Sequence, residues 1–410
     1  MIDKRDLVDA YKTARRNKRR SADSVDYELH AERNLSRLYD AICDRSLTPS
    51  AYTFVTMKPR PREVFACEMG MRIIHHYIDI RMRPLIEARL TERTFNNRIG
   101  YGPDEAVNQL AEDIFEVSRG FTRDAWVISI DLSGYFPNAN QDTAFEQLSR
   151  VIVEDYDGPD RDDLLYMLRS AIYSYPASHC YRKSPLWKWD RYITPEKSLF
   201  RKPDGIGAAI GHLIWQNGMN YYLNEVDHWI VSELCPHYIR FVDDMYFVTD
   251  NKAAFLSWLP EIRRRLAAYG CKVHPRKFYC QHYTKGVNIL GSTVKMDRIY
   301  PSNRIVRRAF QTVCNLNRCP RPSKLGAFIS SVNSYLGIFK RRNAYGIIRD
   351  LVDAVSSRWW RMVWYDDARR VIRARPGFTH YEIINRKYNL KFKFTHGKAR
   401  ATQRAGIPAA

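Results

Sequence analysis

The chain has 410 residues with 45% hydrophobic content, which excludes a disordered chain and allows two or three subdomains with a buried core. Lys+Arg 66 against Asp+Glu 45 leaves a net charge of +21, so a polyanionic partner is expected, either nucleic acid or an anionic membrane surface. No apolar run approaches the roughly 18 residues that span a bilayer. Met1-Ile2-Asp3-Lys4-Arg5 opens no signal-peptide apolar region, so a cytoplasmic protein is expected, with its eight irregularly spaced cysteines reduced.

Residues 1–50 read as a polar helical extension, with helical apolar spacing from Glu28 to Leu38. Arg15, Arg16, Arg19 and Arg20 form a basic block that is either a solvated face or a phosphate-contacting arm. Residues 52–68 alternate as a hairpin, with Lys58, Arg60 and Arg62 near its turn. There these cations form a plain basic loop or reach a triphosphate. A long helix is expected from Arg72 to about Ala88. Its His75-His76 pair reads as packing, because neighbours on a helix point apart. A Gly-containing loop over Asn97–Gly102 precedes a helix that starts near Pro103.

Trp126-Val127-Ile128-Ser129-Ile130 reads as an apolar strand ending at Asp131. Gly134 and Pro137 mark a sharp exit, where backbone carbonyls such as that of Leu132 can face a metal. Helices are expected over 141–153 and 164–172, followed by a Pro- and aromatic-rich loop to Gly205. Gly205-Ile206-Gly207-Ala208-Ala209-Ile210-Gly211 then opens a long apolar helix to about Trp229. Its small residues permit close backbone approach to a nucleotide, although a buried helix fits the pattern equally.

Next, Ile239 to Val248 alternates around Asp243-Asp244, which reads as two strands with the acids at a tight hairpin tip. Carboxylates held that close repel, and a divalent cation relieves the repulsion. A basic amphipathic helix follows, Ala253–Tyr269. Two strands are expected within 271–294, with His274-Pro275-Arg276-Lys277 between them. Cys271, His274, Cys280 and His282 fit no common zinc spacing. Beyond 301 the chain reads as helical, basic and aromatic, and 397–410 as a flexible tail.

If the two acidic strands neighbour each other, Asp131, Asp243 and Asp244 would hold two Mg²⁺ ions, with Mn²⁺ as a substitute. Such a site activates a 3′-hydroxyl for in-line phosphoryl transfer with pyrophosphate leaving. The positive charge of the chain would draw in the polynucleotide.

Over residues 50–345 the motifs, in their order, resemble those of reverse transcriptases. Phe241-Val242-Asp243-Asp244 resembles the family's Tyr-x-Asp-Asp box, with Phe in place of Tyr, and Asp131-Leu132-Ser133-Gly134-Tyr135-Phe136 resembles its first catalytic motif. The resemblance implies an α+β right-hand polymerase fold. Its parts would be an N-terminal extension (1–50), fingers (51–125), a palm with an antiparallel sheet (126–300, insertion at 155–205), a helical thumb (301–396) and the tail. It implies catalysis by Asp131, Asp243 and Asp244, with metal also on Leu132 and with Lys277 protonating the pyrophosphate. It implies dNTP binding by Lys58, Arg62, Tyr135, Phe136, Ile210, Gly211 and Gln216, Phe136 being the steric gate against a ribose 2′-hydroxyl. Nucleic acid would be met by Arg15, Arg16, Arg19, Arg20, Gly291 of a primer-grip hairpin (Val287–Gly291), Tyr335, Arg341 and Arg342.

Within the family the chain is most similar to bacterial enzymes of diversity-generating retroelements and their antiphage-defence relatives. The carrying residues are Pro61–Ala66, His75-His76, Lys197–Phe200, Ile210-Gly211 with Gln216, and Val332–Gly337. Trp215 stands where diversity-generating enzymes carry Ser, which favours the defence relatives. That implies an RNA-directed DNA polymerase copying a structured non-coding RNA into cDNA from dNTPs, away from membranes, with oligomerisation left open. The alternatives are a mutagenic retroelement enzyme, template-independent DNA synthesis, and a nucleic-acid-binding module with a vestigial site.

Overall fold

The structure is a computed structural model that describes residues 1–16, 18, 21–57 and 60–379. Contacts divide the chain into two compact units, the second beginning at Tyr283. The first opens with α1 (Lys4–Arg15), α2 (Ala22–Glu28) and α3 (Ala31–Cys43). Asp3 and Ser21 accept from Arg5 and Ser24 N–H, satisfying donors that a first helical turn leaves open. The helical spacing expected across 28–38 is interrupted by a turn at Leu29-His30.

β1 (Ala51–Thr56) and β2 (Arg62–Cys67) form an antiparallel hairpin, with Ala51 opposite Cys67. α4 (Met69–Arg89) is the apolar spine of the unit, with Ile73, Ile74, Tyr77 and Ile78 buried. α5 (Pro103–Val117) begins on a proline, whose missing N–H is not needed at that position. β3 (Trp126–Ser133), α6 (Gln141–Asp155) and α7 (Arg161–Ile172) follow. The segment expected as a loop carries α8 (Pro176–His179), β4 (Tyr181–Arg182) and α9 (Trp187–Tyr192), with β4 parallel to β1. Buried Glu63 of β2 fastens it, accepting from Trp189 Nε1 (2.7 Å), the Ser198 hydroxyl (2.8 Å) and Leu199 N–H (2.8 Å). A buried carboxylate is tolerated only with such partners.

The apolar helix expected from Gly205 starts later and in two pieces, α10 (Leu213–Tyr222) and α11 (Asn224–Trp229). The preceding loop holds Gly207 and Gly211 at φ 106° and 108°, outside helical space. The core sheet then completes with β5 (Tyr238–Phe241), β6 (Asp244–Thr249) and β7 (Lys272–His282), in the antiparallel order β5-β6-β3-β7. α12 (Lys252–Ala268) joins β6 to β7. β7 runs unbroken through His274–Lys277, where the sequence suggested a gap between two strands. It bulges there: Val273 pairs with Leu132 and Phe278 with Ile130, so the intervening residues oppose Asp131 alone. Pro275, which has no N–H for a ladder, lies inside that bulge.

The second unit starts with an antiparallel meander, β8 (Val287–Ile289), β9 (Ser292–Val294) and β10 (Ile299–Pro301). α13 (Asn303–Asn317), α14 (Leu325–Arg341), α15 (Tyr345–Asp353) and α16 (Ser357–Trp360) follow, then the hairpin β11 (Val363–Asp366) and β12 (Val371–Ala374). Phe328 stacks on Trp359 at the centre of its core, with ring centroids 4.1 Å apart. The expected tail 397–410 lies outside the described residues.

One interaction within the first unit sets the strand that leads to the acidic turn. Arg240 of β5 and Asp227 of α11 are both fully buried and paired at 2.5 Å. Asp227 also accepts from the Tyr238 hydroxyl (2.8 Å), and Arg240 also donates to the Asn220 carbonyl (2.6 Å). Breaking a buried pair leaves a lone charge in a low dielectric. Arg240→Met alone should cost about 3–5 kcal/mol in chemical unfolding of the full chain, while Arg240→Met with Asp227→Leu should recover most of it. Equal losses in the two variants would remove the pairing argument.

Candidate functional site

Three carboxylates meet at one end of the core sheet. Asp131 of β3 stands opposite Asp244, the first residue of β6, in the antiparallel register. Asp243 lies in the turn between β5 and β6, beside Val242 at φ +59°. A β-branched residue in that region costs about 1–3 kcal/mol, so surrounding bonds must hold it. They do: Val242 N–H donates to Asn96 Oδ1 (2.9 Å), Leu132 N–H to the Asp243 carbonyl (2.9 Å), and Arg240 Nη1 to the Val242 carbonyl (3.4 Å). The stretch Arg93–Asn96 is itself laid along β5, with Phe95 N–H donating to the Arg240 carbonyl (3.0 Å).

The three acids are half-buried and crowd each other. Burial and Asp131 push the Asp243 carboxyl above its usual range. Burial, then Asp243 and Asp131, push Asp244 up to about 6. Lys277 counters this charge, its Nζ 2.7 Å from Asp131 Oδ1, where the β7 bulge delivers it. Arg62 and Arg60 act in the same direction on Asp243 and Asp244. Three carboxylates on one sheet end, each raising the cost of ionising another, offer hard oxygen donors that suit a hard divalent cation such as Mg²⁺.

The other expected site residues divide. Phe136 is half-buried and meets Tyr135 edge to face, with centroids 5.6 Å apart. Arg62 is exposed at the start of β2. The Ile210 carbonyl accepts from Phe65 N–H (2.7 Å), which ties the Gly-rich loop to β2. Gly211 lies so close that a Cβ there would strike the Phe65 carbonyl oxygen. Gln216 is exposed, and its carbonyl accepts from Asn97 Nδ2 (2.9 Å). Tyr135 is 3% exposed, and its hydroxyl donates to the Met219 carbonyl inside the core. Lys58 lies outside the described residues.

Of the expected nucleic-acid contacts, Arg16 and Arg341 are exposed. Arg15 pairs with Glu28 at 2.5 Å, so its charge is engaged within the N-terminal helices. Arg342 is 8% exposed, and its Nε donates to the Ser292 hydroxyl (2.9 Å). Gly291 turns between β8 and β9 at φ +84°, and the Tyr335 hydroxyl lies 3.3 Å from that of Thr312. Arg19 and Arg20 lie outside the described residues. Sequence reasoning missed Asn96, Asp227, Arg240 and Glu63. A lone arginine in the apolar run Tyr238-Ile239-Arg240-Phe241 was a readable sign of a buried pair.

The raised carboxyl of Asp244 links the site to stability. Between about pH 4 and 6 the folded chain keeps a proton that the unfolded chain has lost. Its contribution to stability therefore falls as pH rises through that window. In metal-free buffer Asp244→Asn should raise Tm by about 2–4 °C at pH 7 and leave it unchanged near pH 4. Thermal unfolding at both pH values checks this, and an equal gain at both would remove the electrostatic cause.

Comparison with known proteins places these residues in a family. The profile of "Reverse transcriptase (RNA-dependent DNA polymerase)" matches residues 59–294, more than half of the chain. No curated protein matches. Among solved structures the chain is similar to apo telomerase from Candida tropicalis truncated from its C-terminal domain (12% identity, 64% of this chain, 59% of that one, TM-score 0.43). It is also similar to telomerase from Candida albicans with a TWJ fragment of telomeric RNA (11% identity, 77% and 61%, TM-score 0.43) and to apo telomerase from C. tropicalis (11%, 75% and 59%, TM-score 0.46). The chain matches about three fifths of the length of those structures. With Asp131, Asp243, Asp244 and Lys277 all inside the matched span, the chain belongs to the reverse transcriptase family, and its α+β architecture is the right-hand polymerase fold.

Proposed function

We propose that the protein is an RNA-directed DNA polymerase that copies a dedicated structured RNA into cDNA, acting in the cytoplasm in defence against phage. The carrying observation is the convergence of Asp131, Asp243 and Asp244 beside Lys277 in a chain of this family. Asp131, Asp243, Asp244 and the Leu132 carbonyl would hold two Mg²⁺ ions, which when bound supply Lewis acidity for attack by a 3′-hydroxyl and departure of pyrophosphate. The chain's own residues bind and orient. Arg62 holds the triphosphate, Phe136 stands against a 2′-hydroxyl, and Ile210, Gly211 and Gln216 shape the nucleotide pocket. Lys277, paired with Asp131 at 2.7 Å, is placed to give its proton to the leaving pyrophosphate. The spans 51–125, 126–300 and 301–396 serve as fingers, palm and thumb. The net charge of +21 draws in template and product.

The dedicated-template and defence reading rests on the resemblance to defence-associated enzymes and on Trp215. Its indole is 1% exposed on α10, so the departure from Ser alters the packing of the helix that follows the Gly-rich loop. No helix among the described residues is long and apolar enough to cross a membrane.

Asp243→Ala with Asp244→Ala should lower dNTP incorporation by at least about 1000-fold while RNA binding persists, since electrostatic stabilisation of the transition state is removed. Retained synthesis would sink the assignment. Phe136→Ala should raise ribonucleotide use by about 10- to 200-fold, the range expected for relaxing a steric pocket. Unchanged sugar selectivity would remove the gate. For the template, the protein is purified with its native flanking DNA present and the co-purifying nucleic acids are sequenced. One abundant structured RNA with complementary cDNA is the expected result. DNA lacking any complementary RNA would instead indicate untemplated synthesis.

A further inference from the structure

Apart from the three carboxylates, three buried side chains used in no step above converge on one point. Cys67 ends β2, His75 lies in the second turn of α4, and His212 ends the Gly-rich loop ahead of α10. They are 5%, 1% and 2% exposed. One donor atom from each lies within 4.8 Å of the others. Cys67 Sγ is 3.7 Å from His75 Nε2, and the two imidazoles meet edge to face with centroids 5.1 Å apart. Among the described residues, neither ring nitrogen of His212 has a hydrogen-bond partner. A buried imidazole with both nitrogens unsatisfied needs an explanation, and a bound ion supplies one.

The backbone places His212 there at some cost in freedom. The Phe65–Ile210 hydrogen bond and Gly211 at φ +108° lay the loop against β2, two residues short of Cys67 on that strand. The neighbour relation His75-His76 is no ligand pair on a helix, but tertiary structure gives His75 partners from two distant segments. Burial holds both imidazoles well below their ordinary range, His212 down to about 3, so their lone pairs stay free at neutral pH. One thiol and two imidazoles make a borderline-soft set that selects zinc over the oxygen-seeking Mg²⁺ of the carboxylate site.

We propose that Cys67, His75 and His212 form a second metal site that binds one Zn²⁺ and staples the end of the Gly-rich loop, at His212, to β2 and α4. Metal–nitrogen and metal–sulfur distances of about 2.1 and 2.3 Å require the donors to close to about 3.5 Å of one another. Cys67 binds as thiolate and releases its proton to solvent, and water takes the fourth tetrahedral position.

The test uses full-length protein, purified with a thiol reductant in Mg²⁺ buffer and assayed for metals by mass spectrometry. About one zinc per chain is expected, falling below about 0.1 in Cys67→Ser and in His212→Asn. The triple variant Asp131→Asn, Asp243→Asn, Asp244→Asn should keep its zinc, because the two sites share no ligand. Reconstitution with Co²⁺ alone should give a near-ultraviolet thiolate-to-metal band that Cys67→Ser removes. Should a ligand variant fail to fold, the wild-type cobalt spectrum and the carboxylate variant decide. Folded wild-type protein that takes up neither zinc nor cobalt overturns the proposal, as does zinc that is lost with the carboxylates and kept in Cys67→Ser.

Discussion

The antiparallel register that sets Asp131 opposite Asp244, with Asp243 at the adjoining turn, forces three negative charges into one half-buried corner. Water is partly removed from all three, and each raises the cost of ionising the others. Packing of the apolar faces of β3 and β6 overcomes that cost, since Val127, Ile128, Ile130, Met245, Phe247 and Val248 are buried. The site thus carries electrostatic strain that a divalent cation relieves. Lys277, Arg60 and Arg62 lessen it meanwhile.

The turn that carries Asp243 is braced from behind. Arg240 and Asp227 form a buried pair that contributes little net stability by itself, because both ions lose their hydration. The placement is its effect. The same guanidinium touches the Asn220 and Val242 carbonyls and the Tyr135 hydroxyl, so α10, the turn and the exit from β3 share one anchor. Asn96 completes it from the opposite side. Tyr135 belongs to this brace, its hydroxyl accepting from Arg240.

The loop that would line the nucleotide pocket is held by a different logic. Ile210 and Gly211 are tied to β2 through Phe65, and the preceding segment through the carboxylate of Glu63. Both ties lie on β2, the strand that also presents Arg62 at its start. A metal on Cys67, His75 and His212 would add a third tie within the same first unit.

Local pattern alone determined a good deal here. Alternation marked β1, β2, β5 and β6, an apolar run marked β3, helical spacing marked α4 and α12, Pro103 marked the start of α5, and the paired acids marked a hairpin tip. These features depend on which face of an element is buried, and that is written in neighbouring residues. Tertiary structure alone decided that β3 pairs with β6 in the register that joins the acids, and that a bulge in β7 carries Lys277 to Asp131. It also decided that Arg15 and Arg342 turn inward to Glu28 and Ser292, and that Cys67, His75 and His212 meet. Each of these depends on partners distant in the chain, and periodicity specifies a face without naming the surface that covers it.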